Sequence, residues 1–394
     1  MLLQLALVVS AATVVDGGAH HPAAGASARS PASSSPPPRL VRAWVGVAQG
    51  FWPNCSHHTA NCAHNAGALG MIHEHTDLLD GVFLGCEVGL RSNGTVYLPA
   101  DGAAQQCADG VAAIRAIRDT ITVHGGVSVI SCPMSQYINQ HPDAFIESAV
   151  AFATRFDFSG LNIDWEACPY YCDASPTDGC SPAGFGAGVA HTINLLGKRL
   201  LETNRSVTLA IGVLKKGNNG AIVQPPYVYP NISAAGSSHP TSDITRLLRD
   251  SHFLERLTDM DTYYQNATDP MLNHPEFFEQ CAKASQIGFG EKLGVGLGAY
   301  EAPFRLQGRD KANLLRVLQY LDSLDVRELD LFALDSRPGA ACKTCSPGWP
   351  GPTPPQWWWA MLQQWKDRSV GTISLESGRD SRLNSSEEEY DRRE

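Results

Sequence analysis

Residues 158–166 read Phe-Ser-Gly-Leu-Asn-Ile-Asp-Trp-Glu. Apolar and polar residues alternate with a period of two, the pattern of a β-strand. Leu161, Ile163 and Trp165 fall on one face; Gly160, Asn162, Asp164 and Glu166 fall on the other. Same-face residues on a strand lie roughly 6–7 Å apart, so the row of Asn and Asp ends in a Glu. Two carboxylates at that spacing repel, and one of them tends to keep its proton near neutral pH. A Glu protonated in this way is a general acid, and Glu166 is the candidate. An antiparallel strand with a wet face would show the same alternation and do no chemistry. The following chain argues against that reading. A Cys- and Pro-rich loop over 167–183 leads into a helical pattern, and a strand followed by a helix belongs to a βα unit whose sheet is covered on both faces. Acidic residues inside such a sheet are costly unless they are paired or put to use.

The elements that must hold this row can be counted along the chain. Strand-like runs occur at 42–48, 81–88, 126–131, 160–166, 207–213, 259–265, 293–300 and 329–335. Helical patterns lie between most of them, at 105–118, 145–155, 187–202, 277–287 and 311–321, and a closing helix is expected over 356–366. Eight βα units within residues 40–367 predict a (β/α)8 TIM barrel, one α/β domain with disulfide-stapled loops. The competing architecture is a doubly wound open sheet, but residues 46–50, Gly-Val-Ala-Gln-Gly, lack the spacing of its phosphate loop. Barrel active sites gather where the strands end, and Glu166 ends the fourth.

Composition bounds the rest. The chain has 394 residues, 43% hydrophobic and 18% charged, enough for a large core. A net charge of −10 with no basic block excludes nucleic acid as a partner. The apolar run over 2–15 has the length of a signal-peptide core and is too short to span a bilayer, so residues 1–19 are assigned to a leader and no membrane insertion is expected. Residues 20–39, rich in Ala, Ser and Pro, read as a disordered linker, and the charged stretch 368–394 reads as a disordered tail. Eleven cysteines and six Asn-x-Ser/Thr sequons, at Asn54, Asn93, Asn204, Asn231, Asn266 and Asn384, point to a secreted or lysosome-like lumenal glycoprotein. The odd count leaves a cysteine over. Cys86 and Cys132, beside apolar runs, are candidates for a buried free thiol or for pairing with each other. A monomer is expected.

The stretch 159–166, Ser-Gly-Leu-Asn-Ile-Asp-Trp-Glu, resembles the strand-four signature D-G-x-D-x-D-x-E of family 18 glycoside hydrolases, the chitinases and their relatives. With Asn162 in the fourth position it is most similar to the di-N-acetylchitobiase branch. Asp261-Thr-Tyr263-Tyr264 is similar to the family's M-x-Y-D segment, and Phe332-Ala-Leu-Asp335 to its W-A-L-D ending. The resemblance implies a substrate-assisted mechanism, an exception to the usual two-carboxylate scheme. In it Glu166 protonates the glycosidic oxygen and later activates water. Asp164 holds the substrate's N-acetyl group, Asn162 orients Asp164, and Tyr263 donates a hydrogen bond to the acetamide. Asp261 and Phe332 would line the sugar site, and no metal or organic cofactor is implied. The implied substrate is β-linked N-acetylglucosamine, as chitin oligosaccharides or the chitobiose core of N-glycans. The chain departs from the pattern at Ser159 (Asp in the signature), at Phe332 (usually Trp), and in strand three, where Gly125-Gly126-Val-Ser128 is a rearranged S-x-G-G. Two rivals stay open: a chitin- or N-acetylglucosamine-binding lectin on the same barrel, against which Glu166 counts, and a hydrolase of sugars without an acetamide, in which Asp164 is a nucleophile.

Other constellations carry less. Cys168, Cys172, Cys180, Cys342 and Cys345 fall in loops expected on the catalytic rim, where disulfides outweigh zinc. Tyr170 and Trp349 in those loops, and Tyr300 at the end of the seventh run, are candidates for stacking on sugar rings, with ordinary packing the alternative. Cys55, His57, His58, Cys62 and His64 have metal-ligand chemistry without a zinc spacing. Trp357-Trp358-Trp359 is expected to pack against the barrel, Glu87 is a second carboxylate with an ion-paired alternative, and Lys215 and Lys216 read as solvated.

Overall fold

Short runs of β-branched and apolar residues build eight parallel strands: β1 (Leu40–Gly46), β2 (Gly81–Gly85), β3 (Thr122–Ser128), β4 (Gly160–Trp165), β5 (Ser206–Ile211), β6 (Leu254–Asp259), β7 (Leu293–Gly298) and β8 (Glu328–Phe332). Each strand pairs with the next in sequence, and β8 pairs back onto β1 with Leu40 beside Glu328 and Ala43 beside Leu331. The sheet is therefore a closed (β/α)8 barrel, which excludes the open doubly wound alternative. The structure, a computed structural model, describes residues 38–47, 67–99, 102–165, 182–211, 215–216, 222–223, 248, 250–259, 292–298, 311–332, 334 and 356–368.

The helices are α1 (Gly67–Glu74), α2 (Ala103–Ile117), α3 (Cys132–Gln140), α4 (Asp143–Arg155), α5 (Pro182–Leu201), α6 (Lys311–Ser323) and α7 (Gln356–Lys366). They bury the outward strand face, on which Val41, Val82, Leu84, Leu161, Ile163, Val207, Leu209, Leu329 and Leu331 are inaccessible to solvent. At about 25 cal/mol per Å² of apolar surface removed from water, this layer dominates the stability of the fold. The inward face is different. It carries Arg42, His124, Asn162, Thr208, Thr258, Glu328 and Asp330, all buried. Helix α7 caps the start of β1: Trp358 and Trp365 are fully buried, Trp359 stacks on His75 at 3.8 Å, and Arg39 lies 4.6 Å over the Trp365 ring. Arg39 Nη1 donates to the Trp365 carbonyl at 2.6 Å, and Lys366 Nζ reaches Asp80 Oδ1 at 2.9 Å. The tryptophan run thus packs on the barrel as expected, Trp357 being partly buried. Among the described residues, no helix is long and apolar enough to cross a membrane.

Three expectations are corrected. Strand six is Leu254–Asp259, upstream of the expected 259–265. Its Glu255 and Arg256 interrupt the apolar pattern of a strand, and their charges are matched by Arg42 and Glu328 from β1 and β8. Strand three begins at Thr122 and ends at Ser128, so residues 129–131 follow it rather than form it. Cys86 pairs neither with Cys132 nor stays free: it is bridged to Cys107 on the buried side of α2, with Cα atoms 5.3 Å apart. Helices α1 and α3 were not anticipated. Glu87 lies beyond β2, exposed and with a left-handed φ of 53°. Lys215–Lys216 pairs antiparallel with Ile222–Val223.

Candidate active site at the barrel mouth

Strand β4 aims Asn162 and Asp164 into the barrel while Trp165 turns the other way. The Trp165 ring is fully buried, and its Nε1–H donates to Ser135 Oγ on α3 at 2.8 Å, which fixes the strand against its helix. Asn162 is inaccessible to solvent and Asp164 is partly exposed, so the row climbs from core to mouth. Asp164 is the register partner of Ser128 on β3 and of Ala210 on β5. Ser128 Oγ donates to Asp164 Oδ2 at 2.8 Å, and the next amide, Val129 N–H, donates to the Asp164 carbonyl at 2.8 Å.

Asn162 was expected to orient Asp164. Its Nδ2 instead donates to Thr208 Oγ1 on β5 at 2.8 Å, and its buried Oδ1 has no hydrogen-bond partner. Phe332, at the end of β8, is partly buried and packs with Trp44 of β1 on Ala210. The two rings form an aromatic floor beside Asp164, and Trp44 also meets Phe83 at a centroid distance of 5.1 Å. Gly126 lies beside this indole: a Cβ there would meet the Trp44 ring at 3.5 Å, an ordinary contact. Trp44 and Ser128 are the residues that sequence reasoning passed over. Trp44 sits on the inward phase of an alternating strand, and Ser128 ends the rearranged glycine motif; both signals were legible.

Below the floor lies a charged network. Arg42 contacts Glu255 and lies 3.6 Å from Glu328, and Arg256 Nε donates to Glu328 Oε2 at 2.9 Å. His124 Nε2 is 3.0 Å from Ser206 Oγ and 3.7 Å from Glu255. Burial pushes His124 below its ordinary pKa, so it is neutral at pH 7. Burial also opposes ionisation of Glu255, but the neighbouring His124 ring and the Arg42 charge win and hold its carboxyl well below the usual range. For Arg42, burial is outweighed by Glu328 and Glu255, and its guanidinium is held above its ordinary value. Asp330 goes the other way: burial, then the Glu328 charge, raise it well above the carboxylate range even though Thr258 Oγ1 donates to it. The barrel interior thus holds paired charges plus one carboxyl kept neutral.

Glu166, Tyr263, Asp261, Tyr170, Trp349 and Tyr300 lie outside the described residues, as does the Cys55–His64 cluster. Among the described residues, no group of His, Cys, Asp or Glu is arranged to hold a metal ion.

No protein-family model and no curated protein sequence matches this chain. Solved structures do. A chitinase from Chromobacterium violaceum is 14% identical, with a TM-score of 0.50 over 83% of this chain and 98% of that one. A class V chitinase from Pseudomonas fluorescens is 13% identical, with a TM-score of 0.51 over 82% and 98%. A GH18 chitinase from Cycas revoluta, solved in complex with (GlcNAc)3, is 11% identical, with a TM-score of 0.51 over 75% and 95%. Likeness at this level of identity speaks to architecture, and the chain has the (β/α)8 barrel fold of the family 18 chitinases.

Proposed function

We propose that the protein is a retaining glycoside hydrolase that cleaves β-linked N-acetylglucosamine with help from the substrate's own acetamide. One observation carries this reading. A partly exposed carboxylate, Asp164, sits at the C-terminal mouth of β4 beside the Trp44–Phe332 floor, two positions before Glu166 in the sequence. Barrel enzymes place their chemistry at that face. An aromatic floor suits the apolar side of a sugar ring, and one structure of this fold holds (GlcNAc)3.

In the proposed reaction, the N-acetyl carbonyl oxygen attacks the anomeric carbon while Glu166 gives its proton to the departing glycosidic oxygen. The resulting oxazolinium ion is positive on the acetamide nitrogen side, where Asp164 supplies a fixed negative charge and Tyr263 a hydrogen bond. In a site closed to water such a charge is worth several kcal/mol. Glu166, now a carboxylate, takes a proton from water. That water opens the ring at the anomeric carbon, so configuration is retained and Glu166 is reset as an acid. Asp261, Tyr170, Trp349 and Tyr300 are assigned to sugar contacts on the rim. The Cys86–Cys107 bridge fits a secreted or lumenal compartment.

The test is hydrolysis of a fluorogenic chitobioside by the wild type and by Glu166→Gln and Asp164→Asn. The wild type should release fluorophore, and each variant should lose at least about a hundredfold in rate. A wild type that binds chitobiose and releases nothing between pH 4 and 8 would establish the lectin reading instead. Equal cleavage of a glucoside lacking the N-acetyl group would remove substrate assistance.

A further inference from the structure

We propose that Ser128 is a positioning residue for Asp164, an inference that rests on the reaction proposed above. Ser128 is the last residue of β3 and the register partner of Asp164, and its hydroxyl donates to Asp164 Oδ2 at 2.8 Å. Its place is fixed twice. The Val129 amide donates to the Asp164 carbonyl at 2.8 Å, so the ladder between the two strands continues past Ser128. Three residues earlier, Gly125 lets β3 lie against Phe158 and Phe152 with no side chain between them.

The residue below Asp164 on its own strand is directed elsewhere. Asn162 donates its amide to Thr208 across the other edge of β4, so the two polar residues of the strand are tied to opposite neighbours. A carboxylate on a freely turning side chain must be ordered again at each turnover, whereas one held by a neutral donor meets the acetamide already aimed. Ser128 adds no charge, so it orders the carboxylate without cancelling the field that stabilises the oxazolinium ion. Substrate binding through the Trp44–Phe332 floor does not depend on it.

The experiment compares Ser128→Ala and Ser128→Thr with the wild type on the fluorogenic chitobioside, with kcat and KM measured separately and thermal unfolding in parallel. Ser128→Ala should lower kcat about tenfold with KM within about twofold, and its melting temperature should match the wild type. Ser128→Thr, which restores the hydroxyl, should recover most of kcat. In an Asp164→Ala background the Ser128→Ala change should have no further effect. An unchanged kcat in Ser128→Ala, or a loss shared by KM and melting temperature that Thr does not rescue, overturns the assignment while leaving the hydrolase reading intact. A wild type that releases no fluorophore overturns both.

Discussion

Replacing Asp330 by Asn should make the protein more stable, and by more as the pH rises. Asp330 is fully buried on the inward face of β8. Around it, among the described residues, Arg42 and Arg256 bring two positive charges and Glu255 and Glu328 bring two negative ones. The cluster is balanced before Asp330 is counted, so ionising it would leave an uncompensated buried charge, which is why it keeps its proton. The sign follows from linkage. Below about pH 4, the value for an unstructured Asp, both folded and unfolded states carry the proton and the contribution is complete. Above it, the unfolded chain releases the proton and the folded chain does not. Stability then falls with pH, at up to about 1.4 kcal/mol per pH unit for one proton, until the raised folded value is reached. Asparagine has the same shape, accepts the Thr258 hydroxyl as Asp330 does, and carries no proton to lose. Urea unfolding of both proteins at pH 5, 6, 7 and 8 gives the difference in stability, from which the other titrating groups cancel. The difference should grow with pH at a slope approaching the value above. A flat difference, or one favouring the wild type more at high pH, would show that Asp330 is ionised in the barrel and that the charge count is wrong.

Two further outcomes follow from packing and covalent geometry. Gly125→Ala would set a Cβ 2.6 Å from a Phe158 ring carbon and 3.0 Å from Phe152, and should destabilise by about 1–3 kcal/mol. Gly126→Ala, whose nearest neighbours are at 3.5 Å, should stay within about 0.5 kcal/mol of the wild type by the same urea titration. Removing the Cys86–Cys107 bridge with paired alanines opens a loop with a sequence separation of 21. It should lower stability by about 3 kcal/mol on the chain-entropy account, with the protein still folded at room temperature by circular dichroism.

The site strand was legible because its alternation is local: Leu161, Ile163 and Trp165 against Asn162 and Asp164 can be read with no knowledge of neighbours. The barrel followed from repeating that reading, and failed where stability comes from distant partners. Nothing near Glu255 and Arg256 reveals that Arg42 and Glu328 will neutralise them from strands more than seventy residues away in sequence. The Gly125-Gly126 pair discourages a strand on propensity, yet Gly125 admits the Phe158 and Phe152 rings where a Cβ would clash. Cys86 was read as a free thiol or as paired with Cys132, because Cys107 faces the sheet only once α2 is wound. Asn162 illustrates a subtler limit. Its place on the strand could be read, but whether its amide turns toward Asp164 or Thr208 depends on which strand lies alongside.

The clamp between Arg39 and Trp365 joins residues separated by 326 positions. A ribosome releases the first of these long before it has made the second. Until β8 and α7 emerge, the outer edge of β1 has no hydrogen-bonding neighbour on that side, and the indole that shelters Arg39 does not yet exist. Ring closure is therefore a late and slow event governed by contacts distant in sequence. The nascent chain must pass through a stage in which an apolar strand stands open to other molecules, and the demands of synthesis fall on the first and last strands of the barrel rather than on the strand that carries Asp164.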